Sequence, residues 1–487
     1  MTLKTGISGL RGTVDGSQAS LTATVAVRWT QSFVALLTAK GHGDRPRVIL
    51  GRDGRLSSPA LCDLARGALV AAGAEVIDIG LTSTPTVQLA AAKDPLAAGG
   101  VMVTASHNPL MWNGLKFVDE AGLFLPATDW DRMGTLSAPS VGLDQFLAVK
   151  DGAAAATAQH RDAVIAGVPA DDIRAKSFRV IIDACNGPAL AWADTLRALG
   201  CRVQSIHADQ DGIFERGPEP VPVNLGELRA AVATTGADIG FAADPDGDRL
   251  ALVDNTGASV SEELTVVLAA LAMAEPGDTV VTNVVTTHAL DAALVGVTVA
   301  RTAVGEMNVV AGLDALGAVI GGEGSGGVIV PGINLARDGM AAAATILTLM
   351  AHSGRTLAEL VASIPRWDSV KATLPAPQRA DFTAVVAKVS SATSPKPGVV
   401  VADGDLGAIS LGFTRAGGGR VAISIAGHDT SAKAGDFGEV LARIHQEKDD
   451  LCLDVSDGVK FSSPTAWISL RSSNTEPILR LMGEIRR

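Results

Sequence analysis

Residues 45–80 read RPRVILGRDGRLSSPALCDLARGALVAAGAEVIDIG. An apolar, β-branched run at 48–50 ends in a polar, Gly-containing turn. A stretch with helical spacing then follows over 58–72, and a second β-rich run closes the segment at 75–80. Strands joined by a helix rather than a tight turn pair in parallel, because the crossover carries the chain back to the same edge. The segment therefore predicts an α/β domain.

The same texture recurs twice. SFRVIIDACNG at 177–187, the helical PALAWADTLRALG, CRVQSI at 201–206 and ADIGFAADPDGDRLALVDNTG at 237–257 make a second unit. SEELTVVLAALAM at 261–273, DTVVTNVV at 278–285 and RDGMAAAATILTLMAHSGRTLAELVASIP at 337–365 make a third. Beyond about 372 the pattern changes. GAISLGFTRAGGGRVAISI signals strand, turn, strand, DFGEVLARIHQEKDD signals one amphipathic helix, and PTAWISLRSSNTEPILRLM ends on a strand and a polar turn. The expected fold class is α/β: three consecutive α/β domains of similar topology with mixed, largely parallel sheets, plus a smaller C-terminal α+β domain. The expected domains are 1–153, 154–257, 258–368 and 369–487, with a hinge near Pro365 to Pro377.

Composition narrows the function classes. A chain of 487 residues is too long for one core, and 47% hydrophobic residues with 19% charged is globular. No apolar run reaches the ~18 residues of a membrane span. The opening MTLKTGISGLRGTVDG lacks an apolar leader and reads as folded protein. Cys62, Cys185, Cys201 and Cys452 are scattered, which fits a reducing, cytoplasmic location. A net charge of −12 argues against nucleic acid as a partner. A small anionic substrate would have to be met by local arginines.

Four polar turns carry the chemistry. TASHNP, 104–109, follows an apolar strand and presents Ser106 and His107; a capped turn is the commoner reading of such a pair. Downstream, MWNGLKFVDEAG places Asn113-Gly114 in a turn and Lys116 at the start of a strand. In a closed pocket Lys116 could donate or accept a proton. DPDGDR puts Asp244, Asp246 and Asp248 in alternation with Arg249 beside them. Three carboxylates so close repel one another, and a hard divalent cation such as Mg²⁺ relieves that. An EF-hand is excluded, since its sixth and twelfth positions fall on Arg249 and Asn255. GGEGSGG, 321–327, matches G-x-G-x-x-G in form, but VIVPGIN follows and cannot begin the helix a dinucleotide needs. What remains is a loop whose Glu323 and Ser325 suit sugar hydroxyls. RSSNTEPILR, 471–480, brackets Ser473, Asn474 and Thr475 with Arg471 and Arg480, the makings of an anion nest.

Taken together and in this order, TASHNP, DPDGDR, GEGSGG and RSSNTEP resemble the α-D-phosphohexomutases, the family of phosphoglucomutases, phosphomannomutases and phosphoglucosamine mutases. The resemblance spans essentially the whole chain. It implies that Ser106 is a phosphoserine and that Asp244, Asp246, Asp248 and that phosphoserine bind Mg²⁺. It implies that Arg11, His107, Lys116 and Arg249 line the reaction centre, with Lys116 as general acid/base. Glu323 and Ser325 would read sugar hydroxyls, and Arg471, Ser473, Asn474, Thr475 and Arg480 would hold the distal phosphate. The implied reaction moves a phosphoryl group between O6 and O1 of a hexose phosphate through a hexose 1,6-bisphosphate. Glucosamine phosphate is the first candidate, mannose or glucose phosphate the second, and a sugar-phosphate-binding protein without turnover the third. A monomer or homodimer is expected. Gly327 stands where many relatives carry histidine, a departure that bears on substrate preference.

Overall fold

The computed structural model describes residues 3–6, 9–16, 19–137, 149–375, 409–413, 421–425, 450–473 and 478–487, with isolated positions between 437 and 447. The chain forms two compact units. One comprises Met1–Thr282, Leu294–Ala300 and Gly305–Ser363; the other comprises Asn283–Ala293, Arg301–Val304 and Ile364–Arg487.

The opening segment folds as its pattern predicts. Strand Arg47–Arg52 pairs in parallel with Glu75–Leu81 on one side and Ala97–Val103 on the other, with helix Ser58–Ala71 as the crossover. The sheet is completed antiparallel by Trp112–Asp119, Gly9–Thr13 and Lys4–Gly6, and in parallel by Val149–Asp151. Val48, Ile49 and Leu50 are buried, since this central strand is covered on both faces.

A second sheet orders Ser259–Val260, Leu250–Asp254, Ile239–Ala243, Arg179–Asp183 and Arg202–Ile206. A third orders Thr298–Thr302, Thr279–Asn283, Ile320–Glu323 and Gly327–Ile329. The Ser106, Asp244 and Glu323 loops leave the carboxyl ends of Ala97–Val103 and Ile239–Ala243 and the end of Ile320–Glu323. That is where open α/β sheets place their ligands.

A buried polar joint holds the first unit together. His160 Nδ1 shares a hydrogen bond with Thr86 Oγ1 at 2.8 Å, and Nε2 lies 2.6 Å from Asp338 Oδ2. Asp338 also caps helix Gly339–Ser353, accepting from Met340 N at 3.1 Å and Ala341 N at 3.0 Å. Burial would raise its carboxyl, but the His160 contact outweighs that and holds it below 3.8.

One expectation is corrected. Asn113-Gly114 lies inside strand Trp112–Asp119 and not in a turn. Its turn chemistry is overridden because strand Gly9–Thr13 passes so closely that a Cβ at Gly114 would collide with Leu10 O, while Asn113 Nδ2 donates to Ser57 Oγ at 2.8 Å. The two units divide at Ser363 and Ile364, and Trp367–Pro375, within the stretch expected to hold a hinge, is a strand paired along its whole length with Ile478–Arg486.

In the second unit the sheet runs Trp367–Pro375, Ile478–Arg486, Ala466–Ser472, Val459–Ser462 and Cys452–Asp454, all antiparallel. The predicted strand–turn–strand is the hairpin Ile409–Phe413 with Val421–Ile425. Among the described residues no helix is long and apolar enough to cross a membrane.

This unit buries a lysine. Lys460 is 3% exposed; its Nζ donates to Val284 O at 2.5 Å, meets His288 Nε2 at 2.9 Å and sits 4.6 Å from the centre of the Trp467 ring. Burial, helped by Arg301 and opposed by Asp291, Asp454 and Glu484, lowers its ammonium to about 7. Burial also lowers His288. A base depressed on folding stabilises only where it is deprotonated in the folded state. The contribution is therefore full above about 10.5 and lost as pH falls to about 7. Thermal unfolding followed by tryptophan fluorescence should show the second unit gaining on the order of 2 kcal/mol between pH 7.5 and 9.5. Lys460→Met should show no such gain.

Candidate active site

Ser106 is reached by a strained turn. Its φ is 51°, a left-handed conformation that few residues other than glycine adopt. The turn is fixed from beneath by a buried ion pair, Arg55 Nε to Asp53 Oδ2 at 3.0 Å, with both side chains fully inaccessible. Arg55 donates to the carbonyls of Ser106, Asn108, Pro109 and Trp112. Asp53 Oδ2 accepts from Thr104 Oγ1 at 2.7 Å, and Thr104 Oγ1 accepts from Ser106 N at 2.8 Å. Five hydrogen bonds to Arg55 and Asp53 thus supply the partners that a loop of this shape would otherwise leave unpaired.

The Ser106 hydroxyl, on a residue 1% exposed, donates to Asp244 Oδ2 at 3.0 Å and lies 3.2 Å from His107 Nδ1. His107 is held well below its ordinary value, chiefly by Arg249 and then by burial and Arg11. A neutral imidazole therefore faces the serine. Arg11 Nη1 donates to Asn108 Oδ1 at 3.1 Å and to Ala105 O at 3.4 Å, bracing the same loop.

The Asp loop is a turn. Gly247 at φ 70° reverses the chain, and Asp244 Oδ1 accepts from Asp248 N at 3.1 Å and Arg249 N at 3.2 Å. The three carboxylates are buried, with one oxygen of each inside a span of 4.8 Å. Burial and the other two aspartates push Asp244 well above the usual carboxylate range. Burial would raise both, but Lys116 with Thr84 and Asp244 at Asp246, and Arg337 with Lys116 and Arg249 at Asp248, together outweigh it, so both are held low. Lys116, 1% exposed, puts Nζ 2.6 Å from Asp246 Oδ2 and 3.2 Å from Asp248 Oδ2. Burial pulls its ammonium down, but Asp246 and Asp248 hold it above its ordinary value.

Among the described residues Asp246 Oδ1 and Asp248 Oδ1 are buried oxygens without a hydrogen-bond partner, Arg249 Nε standing 3.8 Å from the latter. Such atoms cost free energy unless a cation meets them. With three hard oxygen donors facing one point, the residues fit Mg²⁺.

Glu323 belongs to the same unit. Its Oε1 accepts from Gly305 N at 3.0 Å, and its Oε2 lies 3.1 Å from Arg337 Nη1. Ser325 lies in the turn between Ile320–Glu323 and Gly327–Ile329. Arg471, Ser473 and Arg480 lie in the second unit. There Arg471 and Arg480 are direct cross-strand partners, with Asp457 Oδ2 3.7 Å from Arg471 Nη1. Asn474 and Thr475 fall outside the described residues.

The motifs did not flag Asp53, Arg55, Thr84, Glu306 or Arg337. Thr84 Oγ1 donates to Asp246 Oδ2 at 2.6 Å, and Thr84 N donates to Asp246 O at 2.9 Å. GRDGR at 51–55 carried a signal, two arginines and an aspartate on a turn after a buried strand, that could have found the first pair.

Comparison with known proteins agrees with this geometry. Three family models match in chain order, described as phosphoglucomutase/phosphomannomutase alpha/beta/alpha domains I, II and III, over residues 2–133, 158–257 and 261–367. A phosphoglucosamine mutase of Frankia alni is 36% identical, covering 76% of this chain and 83% of its own. A phosphoglucomutase/phosphomannomutase of Thermococcus kodakarensis is 29% identical, covering 99% and 94%. The crystal structure of a phosphoglucomutase/phosphomannomutase family protein from Burkholderia thailandensis shares the fold with a TM-score of 0.72 at 23% identity, covering 99% and 92%. With the serine, the aspartate triad and the lysine assembled in one buried centre, and three domain models matched in order, the chain belongs to the phosphoglucomutase/phosphomannomutase family, the phosphohexomutases.

Proposed function

We propose that this phosphohexomutase works through phospho-Ser106, exchanging a phosphoryl group between O6 and O1 of a hexose phosphate by way of the 1,6-bisphosphate. The supporting observation is the Ser106 hydroxyl, 3.0 Å from Asp244 within a triad of buried carboxylates. A protein that only bound sugar phosphates would have no use for a buried serine on a strained turn beside such a triad.

In this reading Asp244, Asp246 and Asp248 hold Mg²⁺ with the phosphoserine. A bound Mg²⁺ supplies charge neutralisation for the phosphoryl oxygens and makes the serine oxygen a better leaving group. Lys116, kept protonated by the aspartates beside it, gives its proton to the seryl oxygen as the phosphoryl group leaves and takes up the proton that the attacking sugar hydroxyl releases, so that it is protonated again when the return step runs the same exchange in reverse. His107, neutral, orients the seryl oxygen through Nδ1. Arg11 and Arg249 flank the transferring group as fixed cations. Glu323 and Ser325 meet the sugar hydroxyls, and Arg471, Ser473, Asn474, Thr475 and Arg480 hold the distal phosphate.

Glucosamine 6-phosphate to glucosamine 1-phosphate is the first substrate assignment, supported by the phosphoglucosamine mutase among the relatives. Mannose and glucose phosphates are the second, supported by the relative that spans nearly the whole chain. A panel of glucosamine, glucose and mannose 1-phosphates, given Mg²⁺ and a trace of bisphosphate, separates the two by relative kcat/KM. A preference for the amino sugar bears out the first assignment, and comparable rates on the neutral sugars the second.

Ser106→Ala should lower turnover by about 1,000-fold or more while leaving the melting temperature and sugar-phosphate affinity near wild type. Wild-type-like turnover in that variant rules out the phosphoserine. Excess chelator should stop turnover and added Mg²⁺ should restore it; full activity in chelator contradicts the role given to the three aspartates.

A further inference from the structure

Arg337 sits between strand Gly327–Ile329 and helix Gly339–Ser353, and its guanidinium meets carboxylates from three separate segments. Nη2 lies 2.7 Å from Asp248 Oδ2, Nη1 3.1 Å from Glu323 Oε2 and Nε 3.0 Å from Glu306 Oε2. We propose that Arg337 is the positioning residue that fixes Glu323 for the sugar ring and ties it to Asp248, so that recognition of the hexose depends on it. This inference rests on the hexose-phosphate reading above.

The backbone leaves Arg337 little choice of place. Its N–H donates to Glu306 Oε1 at 3.3 Å, Asp338 N donates to Val328 O at 2.8 Å, and Gly339 N donates to Gly247 O at 3.2 Å on the Asp loop. Its side chain runs through space that only a glycine could leave open, since a Cβ at Gly327 would collide with Arg337 Cδ. Gly327 is therefore explained by the arginine that replaces it in that volume. Glu323, held on one oxygen by Gly305 N–H and on the other by Arg337, keeps one orientation. With the guanidinium beside it, the carboxylate meets the sugar as half of an ion pair, suited to the hydroxyl face of a hexose.

The experiment uses the full-length enzyme and three variants, Arg337→Ala, Arg337→Lys and Gly327→Ala. KM is read against kcat on the hexose 1-phosphates, and calorimetry gives the Kd of metal-free protein for glucose 1,6-bisphosphate. Arg337→Ala should raise KM and Kd about tenfold or more, the worth of a charge-assisted hydrogen bond, with a smaller change in kcat. It should also narrow the difference between glucose and mannose phosphates. Arg337→Lys should restore part of the loss, and Gly327→Ala, which displaces the arginine without removing it, should shift both quantities the same way. If Arg337→Ala does not fold, the other two variants decide by the same criteria. KM and Kd within about twofold of wild type, or a loss confined to kcat, overturns the inference. A wild-type protein that turns over no hexose phosphate, yet binds the bisphosphate less tightly when Arg337 is changed, overturns the mutase reading and leaves this inference standing.

Discussion

Asp244, Asp246 and Asp248 are three carboxylates out of water, close enough that one oxygen of each falls within 4.8 Å. Like charges so placed cannot be stable alone, and much of the first unit is organised around compensating them. Lys116 enters from the first sheet and Arg337 from the segment that leads into helix Gly339–Ser353, and Thr84 supplies both a hydroxyl and an N–H. Each of these groups belongs to a different part of the chain, so the repulsion within one five-residue turn becomes the reason distant segments must meet. A cation at the triad would do the same work more fully, and Asp246 Oδ1 and Asp248 Oδ1, without a hydrogen bond among the described residues, mark where the protein's own side chains stop short.

The Ser106 turn solves a second problem with different means. The strand ends in a backbone shape that would leave several carbonyls without partners, and one guanidinium, Arg55, takes four of them. Removing arginine from water is tolerated because Asp53 lies against it and all its donors are used. Loop and ion pair form one rigid block, so the seryl oxygen is presented at a defined place before any ligand arrives.

The Ser106 and aspartate motifs were legible because each is local: Ser106 beside His107, the aspartates two apart. So was the α/β texture, since buried parallel strands and Ala-rich helices have different periods. What could not be read were partners far away in sequence. Arg55 and Ser106 are 51 residues apart, and Thr84 and Asp246 are 162 apart. Asn113-Gly114 misled for a related reason: a dipeptide suited to a turn serves instead where two strands come too close for a side chain. Trp367–Pro375 forms an edge strand, where its terminal proline costs little.

The immobility of Ser106 has a consequence for the substrate. A hexose carries two different oxygens at opposite ends, and both must in turn face the same seryl group. With the turn pinned by Arg55 and the Asp loop pinned by Thr84, the described residues offer no second station for the chemistry. In the proposed cycle the sugar would therefore be let go and taken up again the other way round between the two halves, and its two phosphates would have to be interchangeable to the groups that grip them. Those groups consequently select for charge and reach, leaving the identity of the sugar to be read at its ring.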